Sequence, residues 1–378
     1  ERANMEMAAY SEKCTASFMN GIDKLNIKHE EPYPKASENV DSMVRLTERL
    51  IDKGYAYEKL RSVYFDISKL DDYGVLSNID LKKVKPGKTI DQDDYAKDSP
   101  VDFTLLKRST LQELKKGVYF TTPWGSVRPS WHLECAAISL KYLNESFDIH
   151  ASGSDIIFPH CENVMAIGKA ATGKQMANYW LNTELLMIEG KKMSRSLNNT
   201  LTIEELEAKG YAGREIRFFL LSAHYRKPLN FSFGALASAK NTVTRLDRFI
   251  QRLMYFTPGS GHPDTEQLIY DVKQSFAQAM DDDFNMSGAL ASIFEFIKKV
   301  NLPLSQGQLT EKERDRILET MTSIDKVLGV MNFEKQIIGD AALKLIEERE
   351  ALRKEGRWSE SDAIRIKLAE MGVEISDT

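Results

Sequence analysis

The chain has 378 residues, 42% of which are hydrophobic, and a formal net charge of -5 at neutral pH. This length is too great for a single hydrophobic core and predicts two to four domains. The negative charge excludes a globally basic surface for nucleic acid, although local clusters such as residues 82–85 and 353–354 can still contact RNA. Three cysteines are too few for a disulfide framework, and no apolar stretch is long enough to span a bilayer. We therefore expect a cytoplasmic protein that makes no membrane contact.

The first hundred residues are predicted to begin with two helices. Apolar residues spaced as in an amphipathic helix occupy residues 1–27. A second helix is predicted to begin after the N-cap Ser37, to run to Lys53 and to end at Gly54. Alternating apolar and polar residues then predict a hairpin and a further strand, at 55–58, 63–67 and 101–107.

Helices and strands alternate in the next part of the chain, from Tyr119 to Ile188. The pattern predicts a helix ending at 139–143, a short buried strand at 147–150, a helix at 162–171 and a strand at 180–188. Such alternation is typical of parallel strands joined by crossover helices. Because ligands bind at the carboxyl ends of such strands, the residues that follow these strands are candidates for a site.

A short basic loop at residues 189–200 follows the last of these strands. It holds three cations, one glycine and several hydroxyl side chains, and it precedes a predicted helix at 203–206. Lys192 and Arg195 can bind phosphate oxygens through charge-assisted hydrogen bonds, and arginine adds a planar fork. Positive charge placed there stabilises a leaving pyrophosphate, on which negative charge builds in the transition state. Taken alone, such a run is more often a solvated basic loop.

The remaining chain is predicted to be almost entirely helical. A helix at 211–222 is followed by long helical periods at 235–255, 265–280, 287–300 and 310–328. The acidic turn 281–285 is expected to cap the helix after it, with a metal site as the weaker alternative. Two charged helices and a short final strand are predicted at 341–356, 358–371 and 373–375.

Several motifs together give the chain a family resemblance. Residues 192–196, Lys-Met-Ser-Arg-Ser, resemble the KMSKS signature of class I aminoacyl-tRNA synthetases, with arginine in place of the second lysine. In family order and spacing, four further stretches resemble cysteinyl-tRNA synthetases: Trp124-Gly125, 128–135, 147–155 and 158–163. The resemblance extends over the whole chain. It implies an α/β fold, namely a class I nucleotide-binding, Rossmann-like catalytic domain that is partial and carries an inserted α+β domain, followed by an α-helical bundle and a small C-terminal domain.

The same resemblance implies domain boundaries. We expect a helix of the first catalytic half at 1–28, an inserted connective domain at 29–105, the second catalytic half at 106–188, the signature loop and junction at 189–234, a helical bundle at 235–335, and the start of an anticodon-binding domain at 336–378. The family's His-x-Gly-His signature is not found, so we expect that the N-terminal part carrying it is missing from the sequence.

Members of the resembled family ligate L-cysteine to its cognate tRNA through a cysteinyl-adenylate, with ATP and magnesium as substrate. The resemblance implies that Lys192 and Arg195 are catalytic and that they bind ATP together with Ser194, Gly153 and Asp155. It also implies that Trp131 forms a wall of the amino-acid pocket, although a plain core position suits a tryptophan equally well. The expected partners are tRNA(Cys), L-cysteine and ATP, and the expected oligomeric state is a monomer.

A zinc ion, one per chain, is also implied, with Cys135 and His160 as ligands. Zinc binds sulfur far better than hydroxyl, which separates cysteine from serine without editing. The family pattern continues with a glutamate ligand one helical turn after the histidine, where this chain has Val164. Cys161 could replace that ligand, zinc could keep fewer protein ligands, or binding could be lost.

Two other functions fit parts of the same pattern. A cysteine ligase that acts on a small amine, as in mycothiol synthesis, shares the catalytic domain, but the tail at 358–375 resembles that of a synthetase. A non-catalytic RNA-binding paralogue fits Val164 and the missing N-terminal signature. Finding that signature upstream would exclude the paralogue.

Overall fold

The computed structural model describes residues 6–29, 32–81, 97–335 and 340–370. The chain forms two compact units, one of residues 1–240 and 278–289 and the other of residues 241–277 and 290–378. Two predicted features, the basic cluster 82–85 and the final strand 373–375, lie outside the described residues. Among the helices that are described, none has the length and apolar character required to cross a membrane.

The first unit opens with helices α1 (Met7–Lys24) and α2 (Val40–Asp52). The prediction that Ser37 caps α2 is wrong, because Ser37 lies inside a short 3-10 turn, Ala36–Glu38. Asn39 holds the cap position instead, and its side-chain amide donates back to the Lys35 carbonyl at 2.8 Å. The predicted end is confirmed: Gly54 adopts a φ of 76°, a left-handed conformation that suits glycine.

A five-stranded antiparallel sheet follows, in the order β1-β2-β3-β5-β4. Its strands are β1 (Ala56–Lys59), β2 (Ser62–Phe65), β3 (Phe103–Arg108), β4 (Phe120–Thr122) and β5 (Gly125–Pro129), with a short helix α3 (Leu111–Lys115) after β3. The predicted hairpin and third strand are therefore confirmed. Phe65 and Phe103 stack with ring centroids 4.8 Å apart inside a core to which α2 also contributes.

The predicted parallel arrangement is confirmed in the next part of the first unit. Helix α4 (Trp131–Tyr142) precedes strand β6 (Phe147–Gly153), and α5 (Glu162–Thr172) connects β6 to the parallel strand β7 (Ala177–Thr183). The prediction that β6 is buried is wrong, since Ile149 is 51% exposed. Within the described residues β6 pairs with β7 alone, so its other edge and part of its faces stay open.

The predicted strand at 180–188 is wrong as a single element. The chain leaves β7 after Thr183 and enters a second small sheet as β8 (Leu186–Ile188), which pairs parallel with β10 (Leu229–Phe231) and antiparallel with β9 (Lys191–Lys192). The break occurs at Glu184, whose N–H donates to the Tyr225 carbonyl at 2.8 Å. Three consecutive polar residues, Asn182, Thr183 and Glu184, mark the break in the sequence, and the prediction of one strand passed over them.

Helices form most of the remaining chain, as predicted. Short helices α6 (Ile203–Ala208) and α7 (Gly213–Leu221) precede the four long helices α8 (Phe233–Met254), α9 (Thr265–Asp281), α10 (Met286–Ser305) and α11 (Glu311–Leu328). The residue of the acidic turn that caps α10 is Asn285, whose side chain accepts from the Gly288 N–H at 3.0 Å. The carboxylate of Asp283 accepts from Tyr225 and Arg226 instead, so the prediction that the acids of the turn cap this helix is not borne out for Asp283. Helices α12 (Asp340–Lys354) and α13 (Trp358–Glu370) pack together through Leu352 and Leu368.

Candidate active site

The basic loop predicted to bind phosphate joins the second small sheet. Gly190, with a φ of 78°, turns the chain between β8 and β9, and its N–H donates to Asn230 Oδ1 at 2.8 Å. Lys192 is the last residue of β9 and pairs with Met187. The loop is therefore held at its base by the sheet, while the cationic side chains of Lys192 and Arg195 lie at the surface.

Lys192 and Asp155, two of the predicted ATP-binding residues, are in contact. The Lys192 Nζ atom lies 2.8 Å from Asp155 Oδ2. Asp155 follows the carboxyl end of β6, the edge at which ligands bind in parallel α/β sheets. Both side chains are partly exposed, so a phosphate can compete with the carboxylate for the lysine. The structure thus brings the basic loop to the edge where a nucleotide site is expected.

Gly153, the last residue of β6, has no side chain and stands where there is no room for one. A Cβ atom at this position would lie 2.7 Å from Asp155 Oδ1. A larger residue would therefore displace the carboxylate that contacts Lys192. Gly153 keeps this end of β6 open and Asp155 in place.

Ser194 and Arg195 lie where the loop turns back. Ser194 caps a 3-10 turn, Arg195–Leu197, by accepting from the Leu197 N–H at 3.3 Å. Its Oγ also lies 3.1 Å from Ser196 Oγ. The turn sets Arg195 on the exposed side of the loop. Two of the predicted phosphate-binding residues, Ser194 and Arg195, thus share one short turn, and Lys192 lies just before it at the end of β9.

Aromatic and histidine rings form a cluster at the start of α4. Trp131 stacks on His160 with ring centroids 4.2 Å apart, and His132 Nδ1 lies 3.0 Å from His160 Nδ1. His160 is in a one-turn segment, Ile157–Cys161, that contains a cis peptide bond between Phe158 and Pro159. Trp131 is 57% exposed, so it has no core position.

Burial determines the protonation of this cluster. Burial lowers the pKa of His132 to about 4, with a further contribution from His160. The pKa of His160 is also lowered to about 4, by burial first and by His150 second. Burial raises the pKa of the Cys135 thiol to about 11. At neutral pH both rings are neutral, and one Nδ1–H can donate to the other Nδ1.

The described residues do not make a complete zinc site. Cys135 and His160 are both on the elements around this cluster, but Val164, at the expected third ligand position, is fully buried in the hydrophobic core. In the part of the chain that the structure describes, no three His, Cys, Asp or Glu side chains are grouped to hold a metal. Valine offers no lone pair, so the donor set falls short of the tetrahedral site that zinc prefers.

Cys161 belongs to a different contact network from the predicted metal site. Its thiol donates to Ser152 Oγ at 3.1 Å, and the same oxygen accepts from the Asn182 amide at 2.6 Å. Ser152 and Asn182 lie near the carboxyl ends of β6 and β7. This network joins the histidine segment to both parallel strands. Neither Ser152 nor Asn182 is among the site residues predicted from the sequence, although Ser152 lies inside the stretch 147–155.

A cavity of about 300 Å³ opens beside Trp131 and His132. Its lining includes three cationic side chains, Lys97, Lys107 and Arg128, together with Tyr73 and Phe103. The cavity lies where the antiparallel sheet meets the first turn of α4. Cations beside aromatic rings suit a nucleotide or another anionic group with a planar ring.

Comparison with known proteins agrees with this geometry. Residues 1–241 match the family described as the tRNA synthetases class I (C) catalytic domain, and residues 275–332 match the DALR domain. A protein of Methanosarcina acetivorans named "Cysteine--tRNA ligase" is 39% identical over 382 residues, covering 99% of this chain and 80% of the relative. One of Carboxydothermus hydrogenoformans with the same name is 37% identical, covering 97% of this chain and 79% of the relative.

A solved structure shows the same fold at low identity. The methionyl-tRNA synthetase of Mycobacterium tuberculosis, in complex with methionyl-adenylate, superposes with a TM-score of 0.59 and 15% identity, over 87% of this chain and 78% of that one. This confirms the predicted fold class. The relatives support neither the small-amine ligase nor the non-catalytic paralogue. The chain belongs to the cysteinyl-tRNA synthetase family of class I aminoacyl-tRNA synthetases.

Proposed function

We propose that this chain ligates L-cysteine to tRNA(Cys) with the use of ATP, through a cysteinyl-adenylate. The observation that carries the proposal is the contact between Lys192 of the signature loop and Asp155 at the carboxyl end of β6. The contact places Lys192, which we assign to phosphate binding, beside the carboxyl end of β6, which we assign to nucleoside binding. A solvated basic loop would have no reason to lie there.

In the first step, the cysteine carboxylate attacks the α-phosphate of ATP, which enters with magnesium. Lys192, Arg195 and Ser194 hold the pyrophosphate as it leaves, and their positive charge and donors act most strongly in the transition state. Lys192 exchanges its carboxylate partner for a phosphate oxygen. Asp155, thus released, accepts hydrogen bonds from the nucleoside, and Gly153 permits its close approach. No covalent protein nucleophile is needed, because positioning of the reactants and electrostatic stabilisation of the transition state accelerate the reaction.

In the second step, the adenylate passes its acyl group to the terminal ribose of the tRNA and releases AMP. The amino acid is held beside Trp131, whose exposed indole face forms the wall of its pocket. The helical part of the chain includes the segment that matches the DALR domain, and we assign the tRNA contact outside the catalytic fold to it. A cytoplasmic monomer remains our expectation.

Zinc stays a prediction, and we derive no step through it. Cys135 and His160 remain the two expected ligands of this chain, with Val164 at a third position that cannot bind metal. The expected content is one zinc per chain. A metal analysis of the purified full-length protein measures it directly.

Charging of tRNA(Cys) tests the proposal. The full-length protein is incubated with ATP, magnesium, labelled cysteine and a tRNA(Cys) transcript, and acid-stable label on the RNA is counted. We expect label that depends on ATP and on this tRNA, and none with a tRNA for another amino acid. RNA binding without charging would favour the non-catalytic paralogue, and charging of a small amine would favour the other ligase.

A further inference from the structure

The side chain of Asn199 bridges the backbone of the signature loop. Its Oδ1 accepts a hydrogen bond from the Ser194 N–H at 2.8 Å, and its Nδ2 donates to the Lys192 carbonyl at 3.1 Å. The two backbone groups lie on either side of Met193. One partly buried amide thus fixes the chain at the exit from β9 and at the entry to the 3-10 turn.

The local chain path brings Asn199 to this place. After Lys192, the Met193 N–H still donates to the Leu186 carbonyl at 3.1 Å, and this is the last sheet contact before the loop. The 3-10 turn and then Asn198, with a φ of 50°, reverse the direction of the chain. Asparagine tolerates this left-handed conformation better than most residues. Asn198 adopts the left-handed conformation that the turn requires, and the side chain of Asn199 holds the turn through its two hydrogen bonds.

The bridge determines where the two cations point. Lys192 and Arg195 are exposed, and long exposed side chains on an unfastened loop sample many directions. Holding the Lys192 carbonyl and the Ser194 N–H fixes the Cα–Cβ direction of Lys192 and of the residues that follow. Catalysis by positioning is sensitive to such fixation, because displacements of about 1 Å can cost about a hundredfold in rate.

We propose that Asn199 is a positioning residue that holds Lys192 and Arg195 in the arrangement that stabilises the leaving pyrophosphate. The proposal rests on the proposed function, since it gives these cations their task. Asn199 itself touches backbone groups of the loop. Its effect is therefore expected in the rate of adenylate formation and not in the binding of cysteine.

Three variants of the full-length protein separate these roles. Asn199→Ala removes both bonds of the bridge. Asn199→Asp keeps an acceptor for the Ser194 N–H and loses the donor to the Lys192 carbonyl. Thr200→Ala, at the exposed next residue, is the matched control.

The first readout is cysteine-dependent exchange of pyrophosphate into ATP. We expect Asn199→Ala to lower kcat by about tenfold to a hundredfold with an unchanged KM for cysteine. The kcat of Asn199→Asp should lie between that of Asn199→Ala and that of the wild type. The kcat of Thr200→Ala should equal that of the wild type. Melting temperatures of all variants should agree closely. A wild-type kcat in Asn199→Ala overturns the positioning role, as does a loss that accompanies an equal rise in the KM for cysteine.

The second readout needs no activity. Hydrogen exchange of peptides over residues 190–199 should show a protected Ser194 amide in the wild type and loss of that protection in Asn199→Ala. Protection that is unchanged in the variant overturns the bridge itself. Absence of exchange activity in the wild type would instead overturn the proposed function, so the two failures are distinguishable.

Discussion

Ser77 donates two hydrogen bonds to the carboxylate of Glu162, from its backbone N–H and from its hydroxyl, both at 2.7 Å. The other carboxylate oxygen accepts from the Gly74 N–H at 2.9 Å. Glu162 is fully buried at the first position of α5, two residues after His160. These bonds fasten the turn around Gly74 to the segment that carries the candidate site.

Removal of this carboxylate should destabilise the protein. Glu162→Ala removes the acceptor of three donors, the buried Gly74 N–H and two groups of the half-buried Ser77, and we expect a loss of roughly 2–4 kcal/mol in the free energy of unfolding. Glu162→Gln keeps one acceptor oxygen and should lose less. Denaturant unfolding measures both, with Glu12→Ala, on the exposed part of α1, as the control. An Ala variant as stable as that control would show that the three bonds contribute little.

Substitution of Lys192 should slow pyrophosphate exchange far more than substitution of its neighbour Lys191. Lys192→Ala is expected to lower the kcat of pyrophosphate exchange by about a hundredfold to a thousandfold, because a group that stabilises the leaving charge is lost. Lys191→Ala removes another exposed cation from the same strand and should change kcat little. Equal losses in the two variants would indicate a general charge effect and contradict the assignment of Lys192.

Asp283 gives a prediction for pH. Hydrogen bonds from Arg226 first and Tyr225 second lower the pKa of Asp283 from its ordinary value of 3.8 to about 2. A lowered carboxylate pKa means that the unfolded chain binds the proton more readily, so this stabilisation is complete above the ordinary pKa and disappears as the pH falls through about 2.

The comparison of wild type with Asp283→Asn isolates that contribution. The wild type should melt at a higher temperature than the variant at neutral pH, and the difference should shrink as the pH is lowered below the ordinary pKa of the carboxylate. A difference that does not depend on pH would exclude the ion pair with Arg226 as its source.

Val164 offers a test of the incomplete metal site. In the presence of a chelator, Val164→Glu should lower the melting temperature, because it places a carboxylate in the hydrophobic core. Added zinc should restore part of the loss if Cys135 and His160 converge on the same metal. Val164→Gln, which has a weaker ligand, should show the loss without the rescue. A rise in melting temperature on adding zinc that is no larger in Val164→Glu than in the wild type would contradict the predicted ligand pair.

The sequence predicted well those features that repeat along the chain. Helical periods are local, so the predicted bounds of α8 to α11 lie close to the observed ones. The motifs also single out Lys192 and Asp155, which the structure brings into contact. Features that depend on a partner distant in sequence were missed. The strand break at Glu184 depends on the carbonyl of Tyr225, and the burial of Glu162 depends on the turn around Ser77.

Residues that act through backbone contacts were also beyond the reach of the sequence. Asn199 looks like an ordinary loop residue, because its importance lies in two bonds to the main chain, which carries no sequence information. Ser37 shows the opposite error. Its residue type suits an N-cap, but the 3-10 turn moved the helix start to Val40.

Exchange of pyrophosphate into ATP by the full-length protein, with cysteine and serine compared, tests the proposed function most directly. The proposed function predicts rapid exchange with cysteine, slow or no exchange with serine, and loss of the cysteine rate in Lys192→Ala but not in Lys191→Ala. Absence of exchange with cysteine, under conditions in which the protein is folded and supplied with magnesium and zinc, would contradict the assignment of this site to cysteinyl-adenylate formation.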